Sequence, residues 1–508
     1  MIMGRRANGL ITNAIWNAGY VAFTMVLSFV VTPVLLHHLG ASSYGTLIIV
    51  WSISGILGTM NLGLGEATLR YVAQYVGRDD DAGANRVFGA VLSLYILISA
   101  AIIISLFFGA PIVAGWLNTP KENLDHVSWL LALSSFSVAA SIIMSAFGAV
   151  PLALQRFDIT TKISGGSGVV RSLGYIFLAV AGMDLIAFVI WDIVIGLLAL
   201  GLIIRAAKNV FPPLRLLPRM EFSGLKEVFG YSVFSFLTFF LHKWHRESGK
   251  FMLARFLGPA PVVYLATPDN VAQRFHEVIA SGVEATLPRF SSESQKAEVE
   301  KLFWRSTWTA LSLSLVVFVP FVILAPDLLR LWIGEEFSIH SGAIGQLLGL
   351  YLISQGGFTA PAAYFRGIGK PWVVTIVILG SLAITVISGT VLIPRYGAIG
   401  AAYAYLAGSI SPFLGMTIGS LYAFGLPALP KMVQNIFVPI ISAALSAAIG
   451  YYLRTYIDVQ NWIELFGAGA LVMLITLALV FGADYISNKE DSTSIKLLKK
   501  AAKRFQAA

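Results

Sequence analysis

Apolar runs of roughly 20 residues recur along the whole chain, each long enough to cross a bilayer as a helix. Fourteen are read, near residues 12–36, 44–68, 86–117, 127–154, 163–181, 184–205, 226–257, 261–288, 305–333, 341–365, 371–393, 397–424, 432–454 and 461–484. In lipid, such runs must satisfy their backbone groups internally, which leaves helices or a closed barrel. Barrel strands would show short segments of alternating polarity, and these runs do not alternate. The expected fold class is therefore all-α, a polytopic membrane protein. Composition agrees: 57% of the 508 residues are hydrophobic and 12% charged, about half the charge of a soluble chain. The start "MIMGRR" leads into the first run with no small-residue cleavage site, so that run is expected to stay. With no cysteine, a disulfide framework, a thiol nucleophile and a cysteine metal site are all excluded.

Lys and Arg collect on the cytoplasmic side of membrane proteins. With the N-terminus in the cytoplasm, 26 of the 35 basic residues fall on that side, five on the other and four inside runs. Both ends are thus expected to be cytoplasmic. The net charge of +9 is this same bias and gives no reason to expect a nucleic-acid partner. The tail "SIKLLKKAAKRFQAA" gathers Ile495, Leu498 and Ala502 on one helical face, expected to lie on anionic membrane lipids.

The chain repeats at an offset of 218 residues. Leu39-Gly40 ends the first run and "EATLR" begins at Glu66; Leu257-Gly258 ends the seventh and "EATLP" begins at Glu284. An even number of runs per repeat gives two halves of the same orientation, hence parallel six-helix bundles about a central cavity. The expected domains are 1–206, a linker at 207–225 where Pro212, Pro213 and Pro218 disfavour helix, 226–424, two further helices at 425–485, and the basic tail 486–508.

One run breaks the pattern. "HKWHRESGK", residues 242–250, stands where the first half has "TMVLSFVVT". Three cations and Glu247 facing lipid, at about 2.5–3.5 kcal/mol each, would cost on the order of 10 kcal/mol. They must face protein or water. His242, Arg246 and Lys250 recur every fourth residue, with Lys243 and Glu247 alongside. The next run places Asp269, Gln273, Glu277 and Glu284 near one face, with Arg274 and His276 beside them. Folded as a hairpin about residue 259, the two form a polar wall in which Lys250 comes level with Asp269, and His242 with His276. Lys243, Arg246, Lys250 and Arg274, with His242 and His276, are the candidate substrate contacts. The cations suit a diffuse anion such as a diphosphate. Glu247, Asp269, Glu277, Glu66 and Glu284 are the candidates for coupling to a proton or sodium ion. Internal pairing that merely holds the hairpin together is the competing reading, and an extramembrane loop is a third.

The segments "FLGPAPVVYLA", "EATLPRFSSES", "RGIGKPW" and "LIPRYGAIGAAYAYL", with "VVTPVLLHHLGASSYGTLIIVWSI" and "NLGLGEATLRYVAQ", resemble the polysaccharide transporter (Wzx-type) family of oligosaccharide-lipid flippases. That family belongs to the superfamily that holds the MATE drug exporters and lipid II flippases. The resemblance covers nearly the whole chain. It implies a bacterial inner-membrane flippase without covalent chemistry or cofactor. The implied substrate is a polyprenyl-diphosphate-linked oligosaccharide, a unit of O-antigen or exopolysaccharide, carried to the periplasmic leaflet with polysaccharide polymerase machinery as a partner. Many members of that family carry an acidic residue just before the basic one on the seventh span; here that place, before Lys250, is Gly249, and Glu247 lies two residues upstream.

An exporter of small amphipathic molecules would need a carboxylate-dominated cavity. A membrane glycosyltransferase or polymerase usually needs an acidic pair and a sizeable outer loop; the longest outer connections here, such as "LNTPKENLDH", are roughly a dozen residues, so no enzyme is expected. "RDDDAG" reads as a solvated loop with a helix-capping Asp, and the adjacent His37 and His38 do not share a helical face as metal ligands would.

Overall fold

The computed structural model describes residues 2–219, 222–284, 286–292 and 295–488. Its regular structure is entirely helical among the described residues. Helix α1, Ile2–Gly58, holds the first run and most of the second, with a break at Gly40, whose φ of 75° lies in the left-handed region that glycine adopts without penalty. A 3₁₀ turn leads to α2, Leu64–Val76. There follow α3, Asp81–Trp116; α4, Leu124–Ala153; α5, Phe157–Val180; and α6, Leu185–Val210. Helix α7, Phe222–Leu257, runs unbroken through the charged cluster, so the stretch is helical. Gly258, at φ 84°, separates it from α8, Ala260–Glu284, so the second half turns at the position matching Gly40. The rest are α9, Leu287–Ser292; α10, Lys296–Trp332; α11, Glu335–Gly367; α12, Pro371–Tyr396; α13, Ala398–Gly408; α14, Ile410–Phe424; α15, Leu429–Met432; α16, Val438–Arg454; and α17, Trp462–Asn488.

Ten helical segments among the described residues are long and apolar enough to cross a membrane, and the chain is a multi-pass membrane protein. The expected count of fourteen is not confirmed by length and composition alone. The first two runs share one segment, the charged α7 and α8 are not among the ten, and the twelfth run is divided. That division has a local cause. Pro412 lacks the N–H that would bond the Gly408 carbonyl, and the Ser381 hydroxyl donates to that carbonyl instead, at 2.9 Å. The expected amphipathic tail lies beyond Asn488, outside the described residues.

The chain divides into two compact units: the residues up to Glu247 with Ala254–Val263, and Ser248–Leu253 with Tyr264 onward. In the first, α4 packs against α1, α3 and α6, and α5 against α1 and α6. Phe88 and Phe147 meet edge to face at 5.1 Å in its core, and Ser134, Ser135, Ser141 and Ser145 of α4 return their hydroxyls to carbonyls three residues back. Asp80 caps α3 by accepting the Gly83 amide at 2.7 Å, the role expected of the acidic loop. The stretch 211–219 is not helical, and Asn85 of α3 fixes it by donating to the Pro213 carbonyl and accepting the Arg215 amide.

In the second unit α10 is the most enclosed span. It packs along α11, and α16 and α17 lie against it, with Trp308 and Phe481 edge to face at 5.2 Å. The helices outside the repeat therefore extend this unit's core. Pro326 interrupts the α10 ladder, and Gln346 donates to the freed Val322 carbonyl at 2.9 Å.

Candidate functional site

In the first unit the charged stretch of α7 meets α1. Lys243 Nζ lies 3.0 Å from Glu247 Oε1, one helical turn away, and the Ser52 hydroxyl donates to Glu247 Oε2 at 2.7 Å. Glu247 is 4% exposed, so a buried carboxylate is held on both oxygens. Lys243 reaches it past Gly55: a β-carbon there would stand 3.2 Å from Nζ. His245 is buried, Arg246 half-buried and His242 exposed.

In the second unit Lys250 and Asp269 are both buried, and Gln273 donates to Asp269 Oδ1 at 3.2 Å. Arg274 and Glu277 form an exposed ion pair at 3.8 Å, a contact of small energetic weight, and His276 is half-buried beside them. The Gly249 amide donates to the Tyr405 hydroxyl at 3.1 Å. A β-carbon at 249 would lie 2.5 Å from the Tyr405 ring, so a side chain there meets the ring. Glu284, at the end of α8, is bound by Arg366 of α11.

Lys243 joins Glu247, Arg274 joins Glu277, Asp269 joins Gln273, and Glu284 joins an arginine the sequence did not pair with it. Glu66 is exposed on a cavity of about 510 Å³ with Gly148, Leu152 and Phe236. Among the described residues no three His, Asp or Glu gather as a metal site.

A second polar cluster was not anticipated. Asp192 of α6 accepts the Trp51 indole N–H at 3.0 Å and the Tyr175 hydroxyl, and Arg171 Nε lies 3.1 Å from it. Arg171, within α5, is thus paired with a carboxylate of another helix. The only local signal was one aspartate in "AFVIWDIVIG".

The sequence profile described as polysaccharide biosynthesis protein matches residues 39–340, more than half of the chain. The chain belongs to this family. Among similar proteins, the uncharacterized membrane protein EpsK of Bacillus subtilis is 24% identical over 502 residues, covering 90% of this chain and 92% of that protein. A putative O-antigen transporter of Shigella flexneri is 19% identical over 407 residues, covering 78% and 94%. Among solved structures, the lipid II flippase MurJ in an inward closed conformation superposes with a TM-score of 0.70 at 15% identity, covering 92% of this chain and 99% of that one. This family member therefore has the flippase-type fold that its sequence motifs resemble.

Proposed function

We propose that the protein moves a lipid-diphosphate-linked oligosaccharide, a repeat unit of a polysaccharide, from the cytoplasmic to the periplasmic leaflet of the bacterial inner membrane. It does so by alternating access, without covalent chemistry, with both termini in the cytoplasm. The observation that carries this reading is the cation cluster Lys243, Arg246 and Lys250 on one unbroken helix within an otherwise apolar run. A diphosphate leaving water loses its hydration, and fixed cations in a shielded, hydrated site replace it. Arg274, His242 and His276 complete the proposed substrate contacts. The fold likeness to a lipid II flippase and the sequence likeness to a putative O-antigen transporter support the substrate class.

The cycle needs a driving force, and Glu247 is the coupling candidate with the clearest geometry. It is buried, paired to Lys243 and held by Ser52. Protonation or sodium binding at that carboxylate would release Lys243 for the substrate, which links ion occupancy to anion affinity. Asp269, Glu277, Glu66 and Glu284 remain secondary candidates, and polymerase machinery would take up the product.

The test is depletion of the protein in its own host, with lipid-linked glycan probed by an external lectin before and after permeabilisation. Depletion is expected to leave the glycan detectable only after permeabilisation, and re-expression to restore external signal. Unchanged external signal on depletion contradicts the proposal.

A further inference from the structure

The Asp192 cluster lines a cavity of about 320 Å³ inside the first unit, within the size range of small-molecule sites. Its wall carries Trp51, Tyr175, Arg171 and Asp192 together with Ser134, Ser137 and Ser141 of α4. We infer that this cavity is a sugar subsite, which takes the sugar nearest the diphosphate of the transported glycan; the inference rests on the function proposed above.

The chemistry selects the ligand class. A cation would need an unneutralised carboxylate, but Asp192 accepts from Trp51 and Tyr175 and has the Arg171 guanidinium 3.1 Å away. An anion would need an uncommitted arginine, and Arg171 is tied to Asp192. The pair cancels in charge and leaves the outer guanidinium nitrogens as donors in a fixed fork. The Ser137 hydroxyl is buried and has no hydrogen-bond partner. Ser134 and Ser141 donate to their own helix and keep lone pairs to accept. Trp51 and Tyr175 stack at 5.1 Å and 28°, forming an aromatic wall whose negative face attracts C–H groups. A neutral, hydroxyl-rich ring matches donors, acceptors and aromatic wall at once.

Position selects the sugar. Gly55 lines this cavity and also lies against the Lys243 ammonium, where a β-carbon would stand 3.2 Å from Nζ. The cavity and the cation proposed for the diphosphate thus adjoin across one glycine of α1. In the substrate the first sugar is bonded directly to the diphosphate, so a diphosphate at Lys243 brings that sugar to this wall.

The experiment uses the full-length protein in lipid nanodiscs with two independent probes. Saturation-transfer NMR with methyl glycosides of glucose, galactose, mannose, rhamnose and N-acetylglucosamine reads the cavity. Phosphorus line broadening of inorganic pyrophosphate, in wild type and Arg246→Ala, reads the cation cluster. At least one glycoside is expected to receive saturation from the wild type. Ser137→Ala is expected to weaken it about fivefold, the worth of one hydrogen bond, and Ser137→Leu, which fills the cavity, to abolish it. Both variants should melt close to wild type and keep the pyrophosphate broadening. No saturation for any glycoside, or equal saturation in a folded Ser137→Leu, overturns the sugar subsite. Pyrophosphate that fails to broaden while glycosides bind overturns the diphosphate reading and leaves the sugar subsite standing.

Discussion

Gly249 and Tyr405 are fitted to each other: the amide of one donates to the hydroxyl of the other at 3.1 Å, and the ring leaves no room for a β-carbon. Two residues upstream on α7, the Glu247 carboxylate is held by Ser52. Gly249→Ala should cost about 1–3 kcal/mol by overpacking and lower the melting temperature in detergent. Adding Tyr405→Leu should restore part of that loss. A Gly249→Ala variant as stable as the wild type would refute the fit.

Glu247 is expected to be essential for transport. Glu247→Gln keeps an acceptor for Ser52 and loses the charge, so protein level should hold while export stops. Lys243→Ala leaves the carboxylate buried without its cation, a change of about 3–5 kcal/mol, and should lower the amount of folded protein. Lys243→Ala with Glu247→Gln should recover the protein but not export. Normal export by Glu247→Gln would remove this carboxylate from the cycle.

Glu284 should prove a tie rather than a coupling group. Its pair with Arg366 is partly exposed, at 43% and 31% of the two side chains, and such pairs contribute up to about 1 kcal/mol. Glu284→Gln is expected to export normally and to melt slightly lower, and exchanging the two residues should keep both properties. Export lost in a folded Glu284→Gln variant would contradict this assignment.

How far the sequence disclosed these features follows from the range of each signal. The helical fold was legible because apolar run length is a local property and lipid permits few alternatives. The breaks at Gly40 and Gly258 were legible for the same reason. Lys243 and Glu247 were placed side by side because four residues make one helical turn. Ser52 as the partner of Glu247 lies 195 residues away, and Trp51 as the partner of Asp192 lies 141 away. Helical periodicity carries nothing at that range. The pairing of Arg171 was not legible either, because its partner Asp192 sits on another helix. The interruption at Ser409 was missed because Pro412 also occurs comfortably inside apolar runs, and only Ser381 reveals where the freed carbonyl goes.

The orientation can be read by labelling, since the native chain has no cysteine. Single cysteines at Asn123 and Glu336 should react with a membrane-impermeant maleimide in intact cells. Those at Arg78 and Gln295 should react only after permeabilisation. External labelling at 295 would overturn the cytoplasmic placement of both termini and the shared orientation of the two halves.

The cation cluster as carrier of the diphosphate is tested most directly at Arg246. The measurement is the fraction of lipid-linked glycan reached by an external lectin in intact cells, compared at equal amounts of folded protein. Arg246→Ala and Lys250→Ala should leave the glycan on the cytoplasmic leaflet, Arg246→Lys should keep partial export, and Arg246→Glu should fall below Ala. Normal external glycan in cells carrying a folded Arg246→Ala/Lys250→Ala variant would contradict the account.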